Sequence, residues 1–219
     1  MKRTTPIPDI WGARDRKEEL QARCKQRRYA TWLAELTSKC DDALGKADVS
    51  PETRTARSAA EQAESHAWAW LLTDDDRYAD AARAQLAAVG SEASGWAQQY
   101  HTDMYPRDRA DLQVSETIKA SAAALSILDP VLDEEERGRL ADTCCIAPGR
   151  IIYEDAQAGC WWGTALNSNW TAVLNSALGF AGIVALGQAG EEGKAWVEYC
   201  RARIGEMLDL AAEDAGGVE

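Results

Sequence analysis

Apolar residues recur at helical spacing along most of the chain, and the alternation of a strand never takes over. The densest stretch ends at Leu186. Its apolar positions are Trp170, Val173, Leu174, Ala177, Leu178, Ala181, Val184 and Ala185, the i, i+3, i+4, i+7 pattern of one helix face. The opposite face, with Ser176, Gly179, Gly182, Ile183 and Leu186, is hardly more polar. A helix apolar all round is predicted to be buried. Gly179 and Gly182 each weaken a helix interior by roughly 1 kcal/mol relative to Ala, so neighbouring helices are expected to come close there. The stretch before it, Trp161-Trp162-Gly163-Thr164-Ala165-Leu166, reads as an aromatic loop broken by glycine. Asn167 or Ser168 suits the N-cap, and Asn169 then falls in the first turn, beside a buried helix end. Unpaired N–H groups at such an end favour a carboxylate or another anion. The plainer alternative is that the asparagines cap and the tryptophans pack.

The same reading places the other elements. Residues 13–45 form one long helix, with Leu20, Cys24, Leu33, Leu36, Cys40 and Leu44 in a stripe and Gly45 as its stop. Ser50-Pro51 starts a helix that runs to about Leu72. Thr73-Asp74-Asp75-Asp76 is a break whose acids cap the next helix rather than hold a metal. Residues 77–89 complete that helix, with Tyr78, Ala82, Leu86 and Val89 facing in. Residues 90–110 are irregular and hold Trp96, Tyr100, His101, Tyr105, Arg107 and Arg109. A loop of this length is either functional or a surface connection with aromatic anchors. Asp111 starts a helix to Leu128, and Asp129-Pro130 breaks it. Another helix spans 133–146, Pro148-Gly149 interrupts it, and 150–158 resumes. The last helix spans 191–213, with Trp196, Val197, Cys200, Ile204, Met207, Leu208 and Ala211 on one side. About seven helices joined in pairs by short turns predict an all-α fold of helical hairpins, as in helical arrays and toroids. No fixed period marks a consensus solenoid.

Composition sharpens this picture. With 219 residues and 46% hydrophobic positions, one helical domain can bury a sizeable core. The net charge of −12 argues against a nucleic-acid partner. No run reads as a transmembrane helix, and the N-terminus is not followed by an apolar signal core. The six cysteines form no C-x-x-C pair, and only His66 and His101 are available as imidazole ligands, so no metal or other cofactor is expected. The cysteines read as reduced, mostly buried thiols of an intracellular protein.

Three segments resemble the heparinase II/III-like and alginate-lyase group of polysaccharide lyases, in their (α/α) toroid domain. The first runs from Ala110-Asp111-Leu112 through Ala122–Leu125 and Leu128-Asp129 to Leu132-Asp133-Glu134-Glu135-Glu136-Arg137. The second, and most specific, is Asn167-Ser168-Asn169-Trp170-Thr171-Ala172-Val173 with Leu178-Gly179-Phe180-Ala181. The third is Asp214-Ala215-Gly216-Gly217-Val218-Glu219, similar to a turn that precedes an aromatic stretch in the family. The resemblance covers the second half of the chain and implies helical hairpins forming part of an (α/α) toroid, an incomplete barrel.

What it implies chemically is β-elimination on a uronic-acid polysaccharide. A base removes the C5 proton beside a carboxylate, and a neutral amide bonded to that carboxylate withdraws the charge that develops. Asn169 matches the family's asparagine, with Asn167 second. Trp161, Trp162, Trp170, His101, Tyr105 and Arg107 are the candidate substrate-binding residues. Where many family members carry Asn-His, this chain has Asn169-Trp170. The family's catalytic Tyr would fall beyond Glu219, and the 219 residues hold no β-sandwich of the kind that supplies another His. The chain is therefore expected to be part of a toroid and inactive alone, with an acidic polysaccharide or oligosaccharide as partner. Inner-helix faces exposed by such a cut predict a homodimer. Two other classes stay open: a toroid glycoside hydrolase using Asp103 and Asp111, and a non-enzymatic helical interaction module.

Overall fold

The computed structural model describes residues 5–44, 56–90 and 109–216. Among the described residues there is no strand, and ten α-helices follow one another: α1 (Lys17–Cys24), α2 (Arg27–Ala43), α3 (Ala56–Thr73), α4 (Asp76–Val89), α5 (Leu112–Leu128), α6 (Glu134–Ala141), α7 (Ala147–Gln157), α8 (Trp161–Thr164), α9 (Asn169–Leu186) and α10 (Glu191–Gly216). Three long helices, α3, α5 and α9, lie side by side, with α5 in the middle. A second layer backs them. In it α4 packs on α3, the α6–α7 segment on α5 and α9, and α10 on α9. The described residues thus form an all-α array in which the consecutive helices α3 and α4, and α9 and α10, pack on each other.

The central helix explains the core. Every α5 residue from Ala120 to Leu128 is buried, as are Val114 and Ile118. Such a helix has room for little but small and aliphatic side chains, and Ala122, Ala123 and Ala124 let its neighbours approach. Asp111 caps it by accepting from the N–H groups of Gln113 (2.8 Å) and Val114 (3.0 Å), so this candidate hydrolase acid is a helix cap. Asp75 caps α4 in the same way, and Tyr78, Ala82, Leu86 and Val89 face inward as the spacing predicts.

The close approach expected at the α9 glycines is present. A methyl group on Gly182 would stand 2.9 Å from Val197 Cγ2 and 3.0 Å from the Gly193 carbonyl oxygen. One on Gly179 would stand 2.7 Å from Cys200 Sγ. These contacts bring α10 hard against α9.

Several expectations are corrected. The 13–45 helix is two, because the chain turns at Lys25-Gln26, and only Cys40 of the proposed stripe is fully buried. The Pro148-Gly149 interruption is absent. A π-helical turn at 142–146 carries α6 straight into α7, and Pro148 follows just after that turn, where the shift from the i→i−4 ladder to an i→i−5 bond tolerates a residue without an N–H. Asp214 to Gly216 continue α10 rather than turn, while residues 217–219 lie outside the described residues. Leu208, grouped with Trp196 and Val197 on one side of α10, is 65% exposed, whereas Trp196 is buried. Residues 156–190 carry no charge, and α9 within them is long and apolar enough to cross a membrane by length and composition. In the fold half of α9 is buried, against α5, α7 and α10, which accounts for its composition.

The N-terminal segment is an element that the periodicity did not signal. Residues 5–16 form a strap across the C-terminal ends of α5 and α9. Thr5 N–H donates to the Gly187 carbonyl (3.0 Å), and Ile10 N–H to Ser126 Oγ (2.9 Å). Buried Asp129 accepts from Ile7 N–H (2.9 Å), Arg14 Nη1 (3.0 Å) and Arg137 Nε (2.7 Å).

Candidate functional site

Of the residues singled out by the sequence, Asn167 and Asn169 lie together at the start of α9. Ser168 is the N-cap, with its hydroxyl accepting from Trp170 N–H at 3.2 Å. This settles the choice between Asn167 and Ser168, and it frees both asparagines. Neither side-chain amide hydrogen-bonds any described residue. Both are exposed, so the expectation of a buried helix end at Asn169 is corrected. The buried polar group of this turn is instead Thr171, whose hydroxyl lies between the carbonyls of Trp162 (2.5 Å) and Ala165 (2.7 Å).

Leu166, Asn167, Ser168 and Asn169 form one wall of an open cavity of about 460 Å³. Met207, Leu210 and Ala211 of α10 form the other. The cavity therefore offers two neutral amides and a helix N-terminus above an apolar floor. An amide can donate to a carboxylate at any working pH, and the orphan N–H groups of α9 add partial positive charge. Among the described residues the lining includes no titratable side chain, so none of these residues can act as a general base.

The tryptophans divide. Trp161-Trp162-Gly163-Thr164 is a helical turn, α8, rather than an irregular loop. Trp162 is fully buried and cannot stack on a ligand; its large ring fills the space under this turn, which corrects its place among the substrate-binding residues. Trp161 and Trp170 are half-buried and pack on each other, with ring centroids 5.3 Å apart at 50°. Arg203 of α10 donates to the Gly163 carbonyl at 2.6 Å and pairs with Glu206, and so ties α10 to the same turn.

His101, Tyr105 and Arg107, and Asp103 with them, lie outside the described residues. The described residues resume at Arg109. Buried Asp155 of α7 accepts from the backbone N–H groups of Arg109 (2.6 Å) and Ala110 (2.9 Å), and from Arg109 Nε (3.0 Å). Arg109 Nη2 reaches Glu154 at 2.8 Å. The guanidinium is thus held by two acids of the fold.

None of the six cysteines is in a disulfide, and Cys40, Cys144 and Cys145 are buried. Burial pushes the Cys40 thiol up to about 11 and Cys144 to about 12. Among the described residues no three His, Cys, Asp or Glu side chains are placed to hold a metal ion.

A second cavity, of about 320 Å³, was missed. It lies across α3, α5 and α9 and is lined by Glu61, Glu64, Glu116, Lys119, Trp11 and Phe180. The only sequence signal available was the i, i+3 spacing of Glu61 with Glu64 and of Glu116 with Lys119. That spacing is equally common on a solvated helix face.

No protein-family model matches the chain, and neither does any curated protein or solved structure.

Proposed function

We propose that the chain binds a uronic-acid sugar of an acidic polysaccharide or oligosaccharide at the start of α9, as a relative of the heparinase II/III-like and alginate lyases. Asn169 takes the uronate carboxylate, Asn167 supplies a second amide, and the sugar ring lies over Met207 and Leu210. The hairpin array is, on this reading, an arc of an (α/α) toroid. One observation carries the proposal: two uncommitted amides and a helix N-terminus share one cavity with an apolar floor. An amide bonded to the carboxylate is what elimination beside a carboxylate requires. Among the described residues the cavity holds no base, so these residues bind and neutralise, and proton transfer needs a group from elsewhere.

Calorimetric titration with tetramers of glucuronate, of alginate and of hyaluronan tests this. The expected result is binding to at least one of them that Asn169→Ala weakens tenfold or more, with no ultraviolet absorbance from an unsaturated product. Binding that Asn169→Ala leaves unchanged would remove Asn169 from the site.

A second reading has its own observation. Tyr29, Trp32, Leu33, Leu36, Trp68 and Leu72 line an apolar cavity of about 230 Å³ between α2 and α3, and Trp32 is 64% exposed. Such a surface suits a protein partner or a second copy of this chain. Light scattering that returns a monomer for the wild type and for Trp32→Ala would remove the second copy.

A further inference from the structure

We infer that the cavity across α3, α5 and α9 binds an organic cation, a ligand with a primary or quaternary ammonium group. The feature is a pocket walled by two kinds of group that both attract ammonium. Trp11, from the N-terminal strap, and Phe180, from α9, pack with ring centroids 5.5 Å apart at 52°. Trp11 is 49% exposed although it belongs to a strap otherwise tied down by Asp129 and Ser126. An aromatic ring held at the rim of a cavity offers its negative face to a cation.

The carboxylates opposite it are not equivalent. Glu61 is paired with Arg57 at 2.7 Å, and Glu116 with Lys119 at 2.7 Å. Glu64 has no cationic partner at salt-bridge distance among the described residues. Burial raises its pKa, outweighing the Trp68 side chain and the nearby Lys119 charge, which act to lower it. A half-buried carboxylate without a paired counter-ion is costly, and a ligand cation between it and the rings would add one to the Lys119 charge beyond pairing distance. The three glutamates against Lys119 leave the lining two charges negative, so a uronate is repelled here. This separates the site from the one at the start of α9.

The test uses the full chain and titration calorimetry with choline, spermidine and glucosamine as probes, and with glucose as the uncharged control. At least one ammonium probe should bind and glucose should not. Trp11→Ala and Glu64→Gln should each weaken that binding tenfold or more, with the thermal unfolding midpoint reported for both variants. Asn169→Ala should leave it unchanged, which keeps this outcome independent of the uronate proposal. Three results would overturn the inference: no heat with any ammonium probe, glucose binding as tightly as glucosamine, or ammonium binding that survives both substitutions.

Discussion

At the scale of single residues, the fold depends on two buried aspartates that act as staples for irregular chain. Asp129 holds the N-terminal strap and Asp155 holds the segment that enters α5. Each is nearly inaccessible; Asp129 accepts one backbone N–H and two guanidinium groups, and Asp155 two backbone N–H groups and one guanidinium. A buried N–H left without a partner costs about 1–3 kcal/mol, and removing one member of a buried charged pair costs about 3–5 kcal/mol. The Arg109 side chain is 41% exposed, so its share at Asp155 is small and the two N–H groups dominate. Asp155→Ala should therefore destabilise the chain by about 2–4 kcal/mol in urea unfolding, while Arg109→Ala costs under about 1 kcal/mol. Equal losses from the two would mean that the ion pair, not the backbone bonds, holds the segment.

At the scale of elements, the α9–α10 pair turns glycine from a weakness into a requirement. A methyl on Gly193 would lie 2.7 Å from the Gly182 carbonyl oxygen and 2.7 Å from the Leu186 nitrogen, both backbone atoms that cannot yield. Gly205, on the same helix, has nothing within 4 Å. Gly193→Ala is expected to lower stability by about 1–3 kcal/mol through overpacking, and Gly205→Ala to raise it by about 0.5–1 kcal/mol through helix propensity. Chemical denaturation of the two variants reads both signs, and a loss at Gly205 would mean that this face of α10 is covered. The same pair shows what the sequence discloses. Paired glycines in an apolar helix imply a close neighbour, and the helical period of α4, α5 and α9 locates their buried faces, because burial is written in which residues recur. The break at Lys25-Gln26 and the passage through Pro148 were not legible, because each depends on backbone bonding that side-chain pattern does not record. The site was legible only in part. Asn167 and Asn169 share a cavity because they are neighbours in the chain. Trp11, Glu64, Glu116 and Phe180 share one only because the strap and three helices converge, and no local spacing encodes that.

At the scale of the whole molecule, a net charge of −12 bears on both proposed sites in opposite directions. An anionic oligosaccharide approaches against the protein's field, and an ammonium ligand approaches with it. The neutral amides at Asn167 and Asn169 offer hydrogen bonds that salt screens little, so the salt dependence of uronate binding there reports mainly the long-range repulsion. Screening shortens from about 30 Å at 0.01 M salt to about 8 Å at 0.15 M, which removes much of that repulsion. Uronate affinity should therefore rise over this range, contrary to the usual fall for an anion held by cationic side chains. Ammonium affinity at the Trp11–Glu64 pocket should fall over the same range, because added salt weakens the attraction of the carboxylates. Parallel calorimetric titrations at the two salt concentrations give both slopes from one preparation. If uronate binding instead weakens as salt is added, cationic side chains hold the carboxylate, Arg107 first among the candidates, and Asn169 loses the role proposed for it.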